Sequence, residues 1–149
     1  MRIFGCVWNL LSKISIINFK SIITESFELS AFTPLVGYNN AGKSNLLEAI
    51  KWLLRKSSLP DTAFYDKTRA VEMEGKISGI SETILDQLPG NQRASIEPFL
   101  FTDSLYLKRI QAQPSMPVGQ IRLLVKDPAN VGGATEWRAN PTGLDQALQ

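Results

Sequence analysis

Residues 37–44 read G-Y-N-N-A-G-K-S and match the pattern G-x-x-x-x-G-K-[ST]. This pattern normally joins a strand to a helix, and its backbone N–H groups surround phosphate oxygens. Both flanks fit that context, because residues 32–36 form an apolar run of strand length and the residues after Ser44 have helical periodicity. The stretch therefore predicts a P-loop in an α/β fold.

The residue types in this loop are those that binding of phosphates and Mg²⁺ requires. Gly37 and Gly42 let the backbone approach phosphates, which a Cβ atom would block. The following helix N-terminus favours anions through its free N–H groups and its dipole. Lys43 would place an ammonium on the β- and γ-phosphates, and the Ser44 hydroxyl would bind Mg²⁺. The predicted ligands are ATP and Mg²⁺, with Ser44 as the metal-binding residue.

The helix after the loop carries one apolar stripe, formed by Leu46, Leu47, Ile50, Leu53 and Leu54. We expect this helix to end near residue 56, before a Ser-Ser-Leu-Pro-Asp stop. Trp52 lies off the stripe, and the sequence leaves open whether it covers a partner surface or packs in the core.

The rest of the chain predicts mainly strands. With residues 32–36, residues 13–18 and 22–29 are expected to form a small sheet, and Val71–Ile77 alternates like a half-exposed strand. Further elements are a short helix at 81–88, a segment at 96–101 that could be helix or strand, strands at 104–110 and 120–125, and a loop-like segment at 127–149.

Composition describes an ordinary globular domain. The 149 residues include 16 basic and 14 acidic side chains, for a net charge of +2, and 44% are hydrophobic. The absence of histidine excludes a Ser-His-Asp nucleophile, and with a single cysteine it excludes the usual zinc sites. One cysteine, Cys6, forms no internal disulfide, which fits a reducing, cytoplasmic setting.

Charge and apolar runs vary along the chain. Residues 1–60 hold seven basic and three acidic side chains, which suits an anionic ligand, although chance asymmetry on a solvated surface remains the alternative. No apolar run approaches the roughly 20 residues of a spanning helix, so we expect no membrane partner. Residues 1–11 are interpreted as an N-terminal extension, with a secretory leader as the alternative.

Two stretches carry a family resemblance. Residues 14–22, I-S-I-I-N-F-K-S-I, and residues 33–50, T-P-L-V-G-Y-N-N-A-G-K-S-N-L-L-E-A-I, resemble the N-terminal signature of ABC-type ATPases in the RecF/SMC group. Asn45 and the L-L-E-A-I after it are more specific than the loop alone. Within the group, the chain is most similar to the N-terminal ATPase region of OLD-family ATP-dependent nucleases. The resemblance implies a P-loop NTPase fold, a partial ABC-type ATPase head with an antiparallel β-lobe at 62–125.

The resemblance also implies further binding residues. The turn after the first strand would send Lys20 toward the nucleotide with Ser21 beside it, whereas the alternative for Lys20 is a solvated turn lysine. Asn39 and Asn40 stand where such loops bend around the β-phosphate. The complete predicted nucleotide site is Lys20, Ser21, Gly37, Asn39, Asn40, Ala41, Gly42, Lys43, Ser44 and Asn45. ATP is favoured over GTP by the resemblance alone.

Other candidates are weaker. Gln111 or Gln113 could imitate the Mg²⁺-sensing glutamine of ABC-type heads, although surface glutamines are common. Lys108 and Arg109 could contact DNA phosphates, with a charged pair on a solvated strand as the default. Residues 123–127 superficially resemble a Walker B strand, but the lysine before Asp127 fits that pattern poorly, and we interpret these residues as an ordinary strand end. No carboxylate cluster suggests a nuclease metal site.

Hydrolysis requires groups that the sequence does not contain in recognisable form. A Walker B aspartate-glutamate, a signature motif, a later histidine and a nuclease (Toprim) half are all missing, so the catalytic residues and enzyme status are open. Residues 12–149 are therefore interpreted as the N-terminal part of a head, truncated before Walker B. The parent would bind ATP, dimerise head to head and couple hydrolysis to DNA processing or repair. The alternative is a stand-alone nucleotide-binding or interaction module without turnover.

Overall fold

The computed structural model describes residues 11–29, 40–55, 57–133 and 136–139. Within these ranges, the strands are β1 (Leu11–Phe19), β2 (Ile22–Glu28), β3 (Val71–Ile77), β4 (Leu105–Gln111), β5 (Arg122–Lys126) and β6 (Trp137–Ala139). They form one antiparallel sheet in the order β2-β1-β3-β4-β5-β6. Strand β1 pairs with β2 on one side and with β3 on the other, so β1 lies inside the sheet and β2 lies at its edge.

Three α-helices accompany the sheet in the described part of the chain: α1 (Asn40–Leu54), α2 (Glu82–Asp86) and α3 (Gly90–Ile96). Short 3₁₀ turns occur at Asp61–Ala63, Glu97–Phe99, Val118–Gln120 and Pro128–Asn130. Helix α1 packs against β1, β3 and β4. The α2–α3 pair is joined by the Arg93 guanidinium, which forms ion pairs with Glu82, Asp86 and Glu97.

Alternation along the strands builds the core. In β3 and β4 every second side chain is buried and the residues between are half-buried. One face of the sheet is therefore largely apolar and lies in the core, and the opposite face, called the wet face below, is partly exposed to solvent. Helix α1 covers the apolar face with Leu46, Ala49, Ile50, Leu53 and Leu54, all buried. Burial of this stripe is the main stabilising interaction between α1 and the sheet.

Gly75 sets how closely α1 approaches the sheet. A Cβ atom at Gly75 would lie 2.4 Å from the Leu53 Cδ2 atom and 3.2 Å from the Leu11 Cδ1 atom. No side chain fits at this point of β3 without moving Leu53, so the glycine allows direct contact between helix and strand.

Most elements agree with the sequence predictions. The strands expected at 13–18, 22–29, Val71–Ile77, 104–110 and 120–125 are present within one or two residues, and the antiparallel lobe is confirmed. The helix predicted after the loop ends at Leu54. The segment at 96–101, for which the sequence allows helix or strand, is largely helical. Strand β1 begins at Leu11, the last residue of the predicted extension. The strand predicted at 32–36 lies outside the described residues.

The prediction that residues 127–149 are loop-like is wrong for Trp137–Ala139. These residues form β6, which pairs with β5 in the register Lys126↔Trp137, and the Asp127 N–H donates to the Glu136 carbonyl at 2.7 Å. A three-residue strand is too short to show a periodic pattern, and its pairing partner determines its conformation. In the described part of the chain, no helix has the length and apolar character needed to cross a membrane.

Candidate functional site

The N-terminal turns of α1 contain the second half of the glycine-rich loop. The backbone of Asn40, Ala41, Gly42, Lys43 and Ser44 is helical in this element. The first backbone N–H groups of any helix lack an intrahelical acceptor, and they carry the positive end of the helix dipole. This end of α1 is therefore suited to an anion. The first part of the loop, with Gly37 and Asn39, lies outside the described residues.

The turn between β1 and β2 lies directly against this part of α1. Phe19 pairs with Ile22, so Lys20 and Ser21 form a two-residue turn, in which Lys20 has a left-handed φ of +52°. The Asn45 side-chain Nδ2 donates to the Ser21 hydroxyl at 2.9 Å. Because Asn45 follows Ser44 in the chain, this bond places the turn next to the loop.

Lys20 makes a second contact between the turn and α1. Its Nζ atom forms an ion pair with the Glu48 carboxylate and lies 5.7 Å from the centre of the Phe19 ring. Three predicted site residues from two separate parts of the sequence, Lys20, Ser21 and Asn45, are thus brought together. Sequence reasoning missed Glu48 as a contact of this group, although it lies three residues after Asn45 on the same face of α1.

The Asn18 side chain, at the end of β1, bonds the β1–β2 turn to the backbone of residues 66–70. It is 5% exposed and has a φ of +63°. Its Nδ2 atom lies 2.9 Å from the carbonyl oxygens of Asp66 and Arg69 and 3.2 Å from that of Ala70. Its Oδ1 atom accepts a hydrogen bond from the Asp66 N–H at 2.7 Å. One side chain therefore joins the end of β1 to the segment that enters β3.

The same segment is ordered by a local turn. The Thr68 hydroxyl and backbone N–H both donate to the Asp66 carboxylate, at 2.6 and 2.9 Å, and these hydrogen bonds hold the pKa of Asp66 below its usual value. The Lys20 N–H also donates to the Ala63 carbonyl at 2.8 Å. The turn that carries Lys20 and Ser21 is thus fixed on two sides by contacts within the chain.

An open cavity of about 570 Å³ adjoins the Lys20–Glu48 pair. It lies along the exposed side of α1 and is lined by Phe19, Glu48, Lys51, Trp52, Arg55, Ser57 and Leu59. Trp52 is 3% exposed, and its Nε1 atom donates to the Ser57 carbonyl at 2.8 Å. Of the two interpretations of Trp52, core packing is confirmed.

The suggestion that Gln111 or Gln113 senses Mg²⁺ is wrong for Gln111. The Gln111 side chain is fully buried; its Oε1 atom accepts from the Leu59 N–H at 2.9 Å, and its Nε2 atom donates to the Leu59 carbonyl at 2.8 Å. Nε2 also donates to the Gln113 carbonyl at 3.0 Å. This side chain satisfies buried backbone groups of the chain that leaves α1 and cannot reach a metal.

The DNA-contact interpretation of the Lys108–Arg109 pair is wrong for Arg109. Arg109 is fully buried, and its Nε and Nη2 atoms donate to the Leu53 carbonyl at 3.0 and 2.9 Å. Lys108 points to the opposite, wet face, where it pairs with Glu74 at 3.0 Å and lies over the Trp137 ring. Neighbouring residues of a strand face opposite ways, so the two cations never form one patch.

Asp127 closes a local turn rather than a metal site. Its carboxylate accepts from the Ala129 N–H at 3.0 Å and from the Asn130 Nδ2 atom at 3.2 Å, at the start of the 3₁₀ turn Pro128–Asn130. This agrees with the interpretation of residues 123–127 as an ordinary strand end. In the described ranges, no three His, Cys, Asp or Glu side chains are placed to hold a metal ion.

The G-x-x-x-x-G-K-[ST] sequence that runs into α1 is typical of the class of P-loop nucleoside-triphosphatases. The family model of the AAA ATPase domain matches residues 10–113, and the chain belongs to this family. The chain is also 40% identical over 138 residues to the Old nuclease of Escherichia phage P2, which confirms the resemblance to the ATPase region of OLD-family nucleases. That alignment covers 93% of this chain and 23% of the phage protein, so the chain spans about a quarter of its relative.

Proposed function

We propose that this chain is the ATP- and Mg²⁺-binding N-terminal lobe of an ABC-type ATPase head. The observation that carries the proposal is the Asn45–Ser21 hydrogen bond, because it fixes the β1–β2 turn beside the residue that follows Ser44. Two separate stretches that resemble one family's nucleotide site are thereby adjacent in space. The family match over residues 10–113 includes both of them.

The role that we propose for each residue in nucleotide binding follows from its chemistry. Backbone N–H groups of residues 37–44 would hold the phosphates, since the glycines allow close approach. The Lys43 ammonium would neutralise the β- and γ-phosphates, and the Ser44 hydroxyl would bind Mg²⁺. Asn39, Asn40 and Ala41 would form the bend of the loop, while Ser21 and Asn45 would hold Lys20 near the bound anion.

The activity of a longer parent is a further part of the proposal. The matched relative is named a nuclease, and this chain aligns with 23% of it. We propose that the parent dimerises head to head around nucleotide, in the cytoplasm, and couples ATP binding and hydrolysis to DNA processing or repair. The support is the family resemblance, and the acids for hydrolysis would come from elements other than the described residues.

Lys43→Ala tests the nucleotide site. We expect this variant to bind Mg-ATP about 10- to 100-fold more weakly than the wild-type chain, because charge-assisted hydrogen bonds to the phosphates are lost. Isothermal titration with Mg-ATP measures the change. Lys67→Ala is the matched control: Lys67 is largely exposed, pairs with Asp61 and lies outside the loop, so its loss should leave the affinity unchanged.

Two results would contradict the proposal. One is equal affinity of the wild type and Lys43→Ala, which would show that the bound nucleotide lies elsewhere. The other is a folded wild-type sample that binds no Mg-ATP. Circular dichroism of each sample before titration separates loss of binding from loss of folding.

A further inference from the structure

The Lys20 side chain has an acidic partner within the chain. Its ammonium pairs with the Glu48 carboxylate, although phosphate binding requires the same three N–H donors. Both groups remain accessible: the Lys20 side chain is 31% exposed and that of Glu48 is 50% exposed. The contact is therefore one that solvent or a ligand can reach and exchange.

Glu48 lies on the part of α1 that the β1–β2 turn contacts. Glu48 lies one helical turn after Asn45, the residue that holds Ser21, so the turn contacts α1 at two successive points. The Asn45–Ser21 bond holds the turn on α1, and the Lys20 N–H, which donates to the Ala63 carbonyl at 2.8 Å, fixes its backbone. A move of the ammonium toward the N-terminal end of α1 would then be a rotation about the side-chain bonds of Lys20.

The electrostatics favour transfer when a polyphosphate arrives. An exposed lysine–carboxylate pair is weak because water screens it and both side chains lose rotamer freedom. A triphosphate presents several negative charges at the positive end of a helix, which attracts the ammonium more strongly than one carboxylate does. In the same event Glu48, at the rim of the 570 Å³ cavity, loses the Lys20 ammonium as its partner.

We propose that Glu48 regulates the nucleotide site by competing with phosphate for the Lys20 ammonium. Without nucleotide, Glu48 holds Lys20 along α1; when nucleotide binds, Lys20 transfers to the phosphates and Glu48 is released. This inference rests on the proposed nucleotide site and assigns a regulatory role to an acid that opposes binding. Glu48 lowers the affinity of the site for anions in proportion to the strength of its pair with Lys20.

A double-mutant cycle with the full 149-residue chain tests this competition. Glu48→Gln should tighten Mg-ATP binding about two- to fivefold, the range set by the strength of exposed ion pairs. Lys20→Gln should weaken it at least about threefold, because a charged contact to phosphate is lost. In the double variant the gain from Glu48→Gln should disappear, since Glu48 acts through Lys20. Glu74→Gln, which breaks the Lys108–Glu74 pair on the opposite face of the sheet, is the matched control and should change nothing.

Amine labelling gives a second readout that does not depend on affinity. Lys20 should react faster with an N-hydroxysuccinimide ester in Glu48→Gln than in the wild type, and added Mg-ATP should slow its labelling in both. Peptide mass spectrometry measures each lysine separately. Lys67, which pairs with Asp61 and lies outside the loop, should label at one rate throughout.

Each outcome supports or overturns the inference. A gain that persists undiminished in the Lys20→Gln background would mean that Glu48 repels phosphate directly, and weaker binding by Glu48→Gln would mean that Glu48 presents Lys20 to the nucleotide. Either result overturns the competition, as does unchanged affinity. Loss of Mg-ATP binding in every folded sample, wild type included, would instead reject the nucleotide site itself, and the inference with it.

Discussion

Arg109→Ala should destabilise the chain by about 3–4 kcal/mol, since a large buried side chain and its charged hydrogen bonds are removed together. Arg109 belongs to β4; its side chain is fully buried and donates two hydrogen bonds to the Leu53 carbonyl of α1. Leu53 lies in the last turn of α1, where carbonyl groups lack intrahelical partners and carry the negative end of the dipole. The guanidinium therefore caps α1 from inside the core. A lower urea midpoint with an unchanged slope would measure the loss.

Lys108→Ala is the control for this prediction. Lys108 is the neighbouring strand residue, and its pair with Glu74 lies on the wet face of the sheet. Its removal should cost at most about 1 kcal/mol, as for other partly exposed pairs. If Arg109→Ala were as stable as Lys108→Ala, the cap on α1 would contribute nothing measurable, and the account of how α1 is anchored would be wrong.

Asn18→Ala should cost about 3 kcal/mol, because a buried side chain and its hydrogen bonds to the 66–70 backbone are removed together. The Nδ2 atom of Asn18 contacts the carbonyl oxygens of Asp66, Arg69 and Ala70, and the Asp66 N–H donates to its Oδ1 atom. Alanine also has to adopt the left-handed φ of +63° that asparagine tolerates. We expect a lower thermal midpoint and, because the Lys20–Ser21 turn loosens, weaker Mg-ATP binding.

A glycine variant separates the two causes. Asn18→Gly removes the same hydrogen bonds but accepts the left-handed backbone, so it should be about 1 kcal/mol more stable than Asn18→Ala. Asn18→Asp should be the least stable of the three, since its carboxylate would face three carbonyl oxygens instead of an amide that donates to them. Equal stability of all variants with the wild type would show that Asn18 does not join β1 to the segment before β3.

Periodicity predicted the fold well wherever it extended over several residues. The alternation of Val71–Ile77 and the stripe of Leu46, Ile50, Leu53 and Leu54 mark the two surfaces that meet in the core, and the same residues are buried. Leu47, included in the predicted stripe, is half-buried, while Ala49 completes it. Strand β6 was missed because three residues have no measurable period, and pairing with β5 determines their conformation.

Polar residues were harder to predict, because their roles depend on which backbone group lies opposite after folding. Arg109 and Leu53 are 56 residues apart, and Gln111 and Leu59 are 52 apart. Nothing local to either residue indicates such a partner, so the sequence leaves Arg109 between a DNA contact and a solvated strand residue, and Gln111 between a metal-sensing residue and a surface glutamine. Lys20, Ser21 and Asn45 were found through the family resemblance, and the structure brings them together around the β1–β2 turn.

The β1–β2 turn and the N-terminal end of α1 together form the proposed nucleotide site. The most direct measurement is a heteronuclear NMR titration of the ¹⁵N-labelled chain with Mg-ATP. We expect the amide signals of residues 37–45 to shift together with those of Lys20 and Ser21, while the signals of Tyr106 and Trp137 on the wet face of the sheet stay in place. Shifts confined to the wet face, or shifts of the loop without Lys20 and Ser21, would contradict the account.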